Sequence, residues 1–526
     1  MLSIMNSSEK KSLEKAKDFL FISSQFNLGE LSTEKAHPLT KDLSTLAKGN
    51  LQKAIRLLKQ VDKDALSVLQ KKIPEIQVLA RQIRETIDDG YRVFICGCGA
   101  TGRLALTLET LWRQSHKKKM LRDRVCSFMA GGDVALIKSV ENFEDLIVFG
   151  VKQLFELEFG QNDLLISCTE GGETPFVIGA TETAARFSFT RPCFLYCNPD
   201  DVLSKTARRS KRILENRNIY KINCDVGPMA LAGSTRMQAS TVLMAAVGIA
   251  LFCYDKPDAI PAMVDELLSR HAGLDLSFLE GFIKKEATAY RHGEFLLYET
   301  EPRFGITILT DTTERAPTFS LYPFENTLDR DTVPSLCYIY FPQAQSSKKA
   351  WHTLLHRSPR TLEWDDINAI VSQKRLLGFD FSSKLPVLRH SRTQGAKHLH
   401  FKICPHKKGV RLEFENLKHT LPVKGCVLHE HLLLKMVLNI HSTLVMGRLG
   451  RYDGNIMTWV KASNNKLIDR TIRYADILLR NQGISYSYDT IAFSVFALMD
   501  QVKTDTSLVT ATVKYLVKKH SQGFDA

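Results

Sequence analysis

At 526 residues, with 44% apolar and 24% charged residues, the chain has the length of about three domains and the composition of a folded globular protein. Its longest apolar run, Val242 to Tyr254, falls short of the ~18 residues that span a bilayer, and the start, Met1 to Lys11, lacks the apolar core of a signal peptide. The net charge of +14 raises nucleic acid as a partner; the 11 cysteines are scattered, several inside apolar runs (Cys96, Cys126, Cys193, Cys197), without metal-ligand spacing. These features predict a cytoplasmic protein with reduced thiols, no membrane partner and no metal.

Residues 1–90 read as helices, with apolar residues at three- and four-residue spacing over Ser12–Phe19, Leu51–Leu69 and Ile73–Ile87. A proline-containing stretch from Thr33 to Thr40 interrupts them. At Arg92 the pattern changes. Val93-Phe94-Ile95 reads as a buried strand, Gly97, Gly99 and Gly102 follow, and Leu104, Leu106, Leu108 and Leu111 continue as a helix. A strand, a glycine turn and a helix N-terminus bring backbone N–H groups and the positive end of a helix dipole to one point, which suits a phosphate. No Gly-Lys-Ser/Thr follows, so this is not a Walker loop. Thr101 adds a hydroxyl.

Further strands are predicted at Val125–Phe128, Leu164–Cys168, Cys193–Cys197 and Ile219–Ile222, each followed by a helix or loop. Five strands so separated predict a doubly wound parallel sheet, whose ligands gather at the carboxyl ends of the strands. Three glycine-bearing loops fall there: Gly97–Arg103, Ala130–Gly132 and Thr169–Thr174. A helix is predicted over Arg236–Tyr254. A second α/β pattern follows, with strands at Phe295–Tyr298, Leu336–Phe341, Gly378–Phe381 and Leu399–Ile403, then a long helix over His431–Leu449 and amphipathic runs at Thr490–Met499 and Leu508–Val517. The densest basic patch, Arg389 to Arg411, alternates with apolar residues in His398–Ile403 and Val410–Glu415. It reads as a solvated sheet face, which argues against nucleic acid.

Several motifs stand together in a recognisable order: Thr33-Glu34 to Pro38, Gly97 to Leu104, Ala130 to Gly132, Val140 to Asp145, Thr174 to Gly179, Cys197-Asn198-Pro199 and Gly233 to Met237. Over about residues 33–255 they resemble the N-acetylmuramic acid 6-phosphate etherases, of the sugar isomerase (SIS) fold. Asp311 to Phe319 resembles the etherase segment that carries a catalytic glutamate. Lys435 to Thr443, with Gly447, Gly450, Gly454-Asn455 and Asn464 to Leu467, resembles the etherase C-terminal helical region. Two SIS domains and a helical cap resemble the layout of glucokinase regulatory protein.

The resemblance implies an N-terminal helical segment (1–50), a first SIS domain with the phosphate loop (51–260), a second, degenerate SIS domain (261–470) and a helical cap (471–526). It also implies one composite site per chain. The first half would supply Gly99, Thr101 and Gly102, the loop residues Thr169, Gly171, Gly172 and Thr174, and Glu144. The second would supply Glu314 and Lys435. The reciprocal site would lack its parts, because the family's glutamate falls at Leu111, its helix lysine at Met244, and the second half has no glycine loop after Phe295–Tyr298. Met229 and Gln238 replace a further family glutamate and lysine, and Glu170 and Glu173 put two carboxylates where a phosphate is expected. Either Glu173 points outward or the ligand differs.

The function this implies is binding of a phosphorylated hexose or amino sugar as a regulator, with a protein partner such as a sugar kinase. The alternative is a carbon–oxygen lyase releasing lactate, with Glu144 and Glu314 as its acid and base and no cofactor. Without the resemblance, Glu144 is an acid near a helix start, Glu314 a surface carboxylate, and Thr101 and Thr169 helix caps. Lys435, amid Leu432–Leu438, either reaches water or meets an anion.

Overall fold

In the computed structural model the described residues are 7–26, 28–140, 143–462, 464–502 and 506–522. Glu141, within the Val140 to Asp145 motif, lies outside them. The N-terminal periodicity becomes helices α1 (Ser7–Ile22), α2 (Leu51–Lys71) and α3 (Ile73–Asp88). The Asn50 side chain caps α2 by accepting from the Lys53 amide at 3.0 Å. Between α1 and α2, short helical turns dock Thr33 against Asn198 and lay Ala36 beside Met229, joining two of the motifs in space.

The first sheet follows the predicted runs: β1 (Val93–Gly97), β2 (Val125–Met129), β3 (Leu164–Cys168), β4 (Cys193–Tyr196) and β5 (Tyr220–Asn223). All pairs are parallel, in the order β2-β1-β3-β4-β5. Every residue of β1, β2 and β3 is buried, which is why they read as unbroken apolar runs. Strand order reverses at β1, so the loops after β1 and β3 flank the crevice where such sheets take ligands. Helix α4 (Ala100–Ser115) leaves the first loop and α5 (Ile147–Glu156) follows β2. Helix α6 (Pro175–Phe187) leaves the loop after β3.

Helix α7 (Gln238–Phe252), made mostly of Ala, Val, Leu and Met, is buried along nearly its whole length. The second sheet contains β6 (Phe295–Thr300), β7 (Cys337–Tyr340), β8 (His398–His406), β9 (Gly409–Phe414) and β10 (Leu417–Leu421), with α8 (Pro302–Phe319) after β6. Its order is β10-β9-β8-β6-β7, and only β7, β6 and β8 are parallel. The expected parallel sheet is therefore mixed. Tight turns join β8, β9 and β10 without a crossover helix, and such strands pair antiparallel.

Two expectations fail here for physical reasons. Gly378–Phe381 forms no strand. Phe379 and Phe381 are buried, which explains the apolar pattern, and the Phe381 carbonyl accepts one hydrogen bond, from the Phe341 amide at 2.8 Å. Arg389 leaves the basic patch: it is 1% exposed and pairs with Glu325 at 3.0 Å. The rest of the alternation stands. Leu399, Phe401 and Ile403 are buried, whereas His400 and Lys402 face outward beside Glu299.

Helix α9 (Val427–Arg448) is buried almost throughout and packs on α7, so two apolar helices form the axis between the halves. Helices α10 (Asn465–Arg480), α11 (Tyr488–Met499) and α12 (Leu508–Ser521) pack on one another at the end of the chain. Among the described residues no helix is long and apolar enough to cross a membrane.

Candidate functional site

A cavity of about 410 Å³ opens where the carboxyl edge of the first sheet meets α8 and α10. Its floor is the turn after β1. Gly97 can carry no side chain, since a Cβ would lie 2.3 Å from the Thr101 carbonyl carbon, and Gly99 holds φ +56°. Gly99 and Ala100 present the N-terminus of α4 to the cavity, and Gly171 and Thr174 present the loop after β3.

Both predicted acids line this space. Glu144 sits on the segment between β2 and α5, with Lys466 Nζ 3.4 Å from its Oε1. Glu314 projects from α8 and is only 4% exposed. Burial pushes its carboxyl up, opposed by the charges of Lys435, Arg103 and Arg236. Glu314 is thus a buried carboxylate facing the cavity, not the surface group that sequence alone allowed.

Thr101, Gly102, Thr169, Gly172 and Lys435 lie behind the wall, and Thr174 turns its hydroxyl to one of them. The Thr101 hydroxyl folds back on the turn, accepting from the Cys98 amide at 3.0 Å and donating to the Cys98 carbonyl at 2.8 Å. The Thr169 and Thr174 hydroxyls bond one another at 3.0 Å. Gly102 packs on Met129 and Gly172 on Leu203. Lys435 neither reaches water nor waits for an anion: its ammonium donates to the Arg236 carbonyl, Thr241 Oγ1 and Asn439 Oδ1 at 2.6, 2.8 and 2.9 Å. Burial lowers its pKa, with Glu314 and Asp62 pulling the other way. Together with Glu314 it lines a separate void about one water in size.

The acidic loop departs from the first of the two expectations. Glu173 does not point outward. It is 3% exposed, Lys466 lies 2.6 Å from Oε1, and Arg209 holds Oε2. Burial alone would raise its carboxyl, but these two cations hold it at about 2. Glu170 also lines the cavity; burial pushes it up, while the Ser240 hydroxyl donates to it at 2.7 Å.

Six basic residues on the wall were not singled out from sequence: Arg103, Lys138, Arg236, Lys461, Lys466 and Arg470. Each stands within a quoted motif or near one, but a motif does not say which way a long side chain reaches. Lys466 and Arg470 are one helical turn apart on α10, and Arg470 is anchored by Glu34 at 2.6 Å. Burial would lower the Lys466 ammonium, yet Glu173 and Glu144 outweigh it and hold it well above an ordinary lysine. It stays charged.

The family model described as the glucokinase regulatory protein N-terminal SIS domain matches residues 75–185, from α3 through β3 to α6. The chain carries an SIS domain. This SIS half is also similar to curated etherases. An N-acetylmuramic acid 6-phosphate etherase from Clostridium botulinum is 30% identical over 215 residues, which is 41% of this chain and 66% of that protein. One from Vibrio atlanticus is 29% identical over 216 residues, covering 41% and 64%. The chain therefore spans somewhat less than two thirds of these relatives. Among solved structures, the C-terminal domain of glucosamine-fructose-6-phosphate aminotransferase from Francisella tularensis shows 10% identity and a TM-score of 0.42, over 75% of this chain and 96% of that one.

Proposed function

We propose that the SIS protein binds a phosphorylated hexose or amino sugar in the cavity between its halves and serves as a sugar-phosphate-dependent regulator. One observation carries the binding. A helix N-terminus at Gly99–Ala100 and two cations, Lys466 and Arg470, line one cavity together with carboxyls, among them Glu170 and Glu314, that can take sugar hydroxyls. The phosphate belongs at the cationic end. Regulation is favoured over turnover because Lys435 is spent on protein acceptors and the family's glutamate and lysine are Met229 and Gln238, both buried. The partner this needs would be a protein such as a sugar kinase.

A lyase is the second reading, and Glu314 is what favours it. A cavity-facing carboxyl pushed up by burial suits a proton-transfer group. In that reaction a base takes the C2 proton of the ring-opened sugar and an acid protonates the departing lactyl oxygen.

Calorimetric titration with glucosamine 6-phosphate, fructose 6-phosphate and N-acetylmuramic acid 6-phosphate, alongside a lactate assay, tests both. Binding without lactate, weakened by about 100-fold in Lys466→Ala, supports the regulator. Lactate release abolished by Glu314→Gln replaces it with the lyase. No binding of any of the three sinks both.

A further inference from the structure

The segment that carries Glu144 is held in place from the other half of the chain. After Leu355 the second half sends an irregular strap across the edge of the first sheet. Arg357 and Arg360 of this strap bind Asp133, at the start of the loop that leads from β2 to Glu144. The strap ends in Trp364, which is 8% exposed.

Trp364 is enclosed by residues of the first half. Its ring stacks on Phe143, with centroids 5.6 Å apart and planes 15° from parallel, and meets Phe149 at 5.2 Å. The Lys152 ammonium lies over the ring at 4.0 Å, and the indole N–H donates to Glu156 at 2.7 Å. Each contact is worth on the order of 1 kcal/mol, and together they fix the ring on several sides. Phe143 is the residue before Glu144. The Glu144 carbonyl in turn accepts from the Phe176 amide at 3.1 Å, so the acid is tied between the Trp364 stack and the start of α6.

The structure assigns Trp364 as a positioning residue for Glu144, supplied by the degenerate half to the sugar-phosphate site of the intact one. This rests on the binding function proposed above. Trp364 touches no ligand space. It acts by stopping the Phe143 backbone from turning, which keeps the Glu144 carboxylate on the cavity wall and within reach of Lys466. A half that has lost its own phosphate loop is thereby retained as the brace for the other half's acid.

The test uses the full chain as wild type, Trp364→Ala, Trp364→Phe, Glu144→Gln and the Trp364→Ala/Glu144→Gln double variant. Two readouts are taken: affinity for glucosamine 6-phosphate and fructose 6-phosphate by calorimetry, and hydrogen exchange over residues 143–156 without ligand. Trp364→Ala is expected to weaken binding by about tenfold and Trp364→Phe, which keeps the stack, to restore most of it. In the double variant, removing the ring should add less than about twofold to the loss already caused by Glu144→Gln, because both changes act through one carboxylate. Exchange over 143–156 should rise in Trp364→Ala while β1 and β3 stay protected. Unchanged exchange overturns the assignment whether or not a sugar phosphate binds, and so do fully additive penalties. If no sugar phosphate binds the wild type but exchange still rises, the brace stands and the binding function fails.

Discussion

The two α/β halves end their first strand in opposite ways. β1 runs into Gly97 and a turn with Gly99 at φ +56°, which lets the backbone close tightly and leaves the mouth of α4 open to a ligand. β6 ends at Thr300, and Glu301 and Pro302 lead straight into α8 without a glycine turn. In exchange, the second half projects charge. Glu314 lines the cavity and Lys435 stands behind it, while Arg357 and Arg360 reach across to Glu109. Leu111 and Met244, where the first half would return the favour, are buried apolar side chains. One half keeps the cradle and Glu144, and the other adds Glu314 and the bracing arginines. A duplicated fold can divide one site in this way, because each strand edge needs only half of the chemistry.

The largest effect should come from cutting the charge that joins the halves. Glu109 is 1% exposed and accepts from Arg113, Arg357 and Arg360 as well as from Ser127. Burial would raise its carboxyl, but Arg357 and Arg360 hold it well below the usual range. Glu109→Gln strands buried cations and should cost about 3–5 kcal/mol in a urea titration. A loss under about 1 kcal/mol would mean that the halves are held by apolar packing alone.

Next comes the cradle. Gly97→Ala forces a methyl against the Thr101 carbonyl and should cost about 2–3 kcal/mol along with sugar-phosphate affinity. Thr300→Ala, at the matching point of β6, should cost about 1 kcal/mol or less and leave affinity unchanged. Equal penalties at both sites would erase the contrast between the two edges.

The smallest effect is a pH slope. Asp62 of α2 is buried, with Oδ2 lacking a hydrogen-bond partner among the described residues. Burial pushes its carboxyl from 3.8 to about 7, with the Lys435 charge pulling partly back. The folded chain holds this proton longer than the unfolded one. The stability it supplies is full below the unfolded value and is lost as pH rises through about 7. Asp62→Asn should therefore flatten the fall in urea midpoint over that window and give the more stable protein above it. An unchanged slope would mean that Lys435 already keeps Asp62 ionised.

Much of the scaffold was legible in the residues. Four strands buried throughout, β1 to β4, the glycine turn after β1 and the amphipathic helices each announce themselves through local periodicity, because a strand buried on both faces or a helix with one apolar face has few other solutions. The motif order also pointed to Glu144 and Glu314 as partners across the two halves, though not to the burial of Glu314. What failed was whatever depended on distant neighbours. Gly378–Phe381 has a strand's composition but no continuous ladder, and Arg389 lies in a basic run but is neutralised by Glu325. Lys435 was expected to reach water or meet an anion, whereas its ammonium is hydrogen-bonded to neutral protein atoms from the first half and from its own helix.

Local sequence determined where the chain turns, which faces are apolar and where backbone can close around an anion, since these follow from side-chain size, hydropathy and φ preference within a few residues. Tertiary structure alone decided which charges meet. Lys466 reaches Glu173 across 293 positions of chain and Trp364 reaches Glu156 across 208. The reach of a flexible side chain, and the low dielectric that makes its choice of partner matter, exist only once the halves have packed.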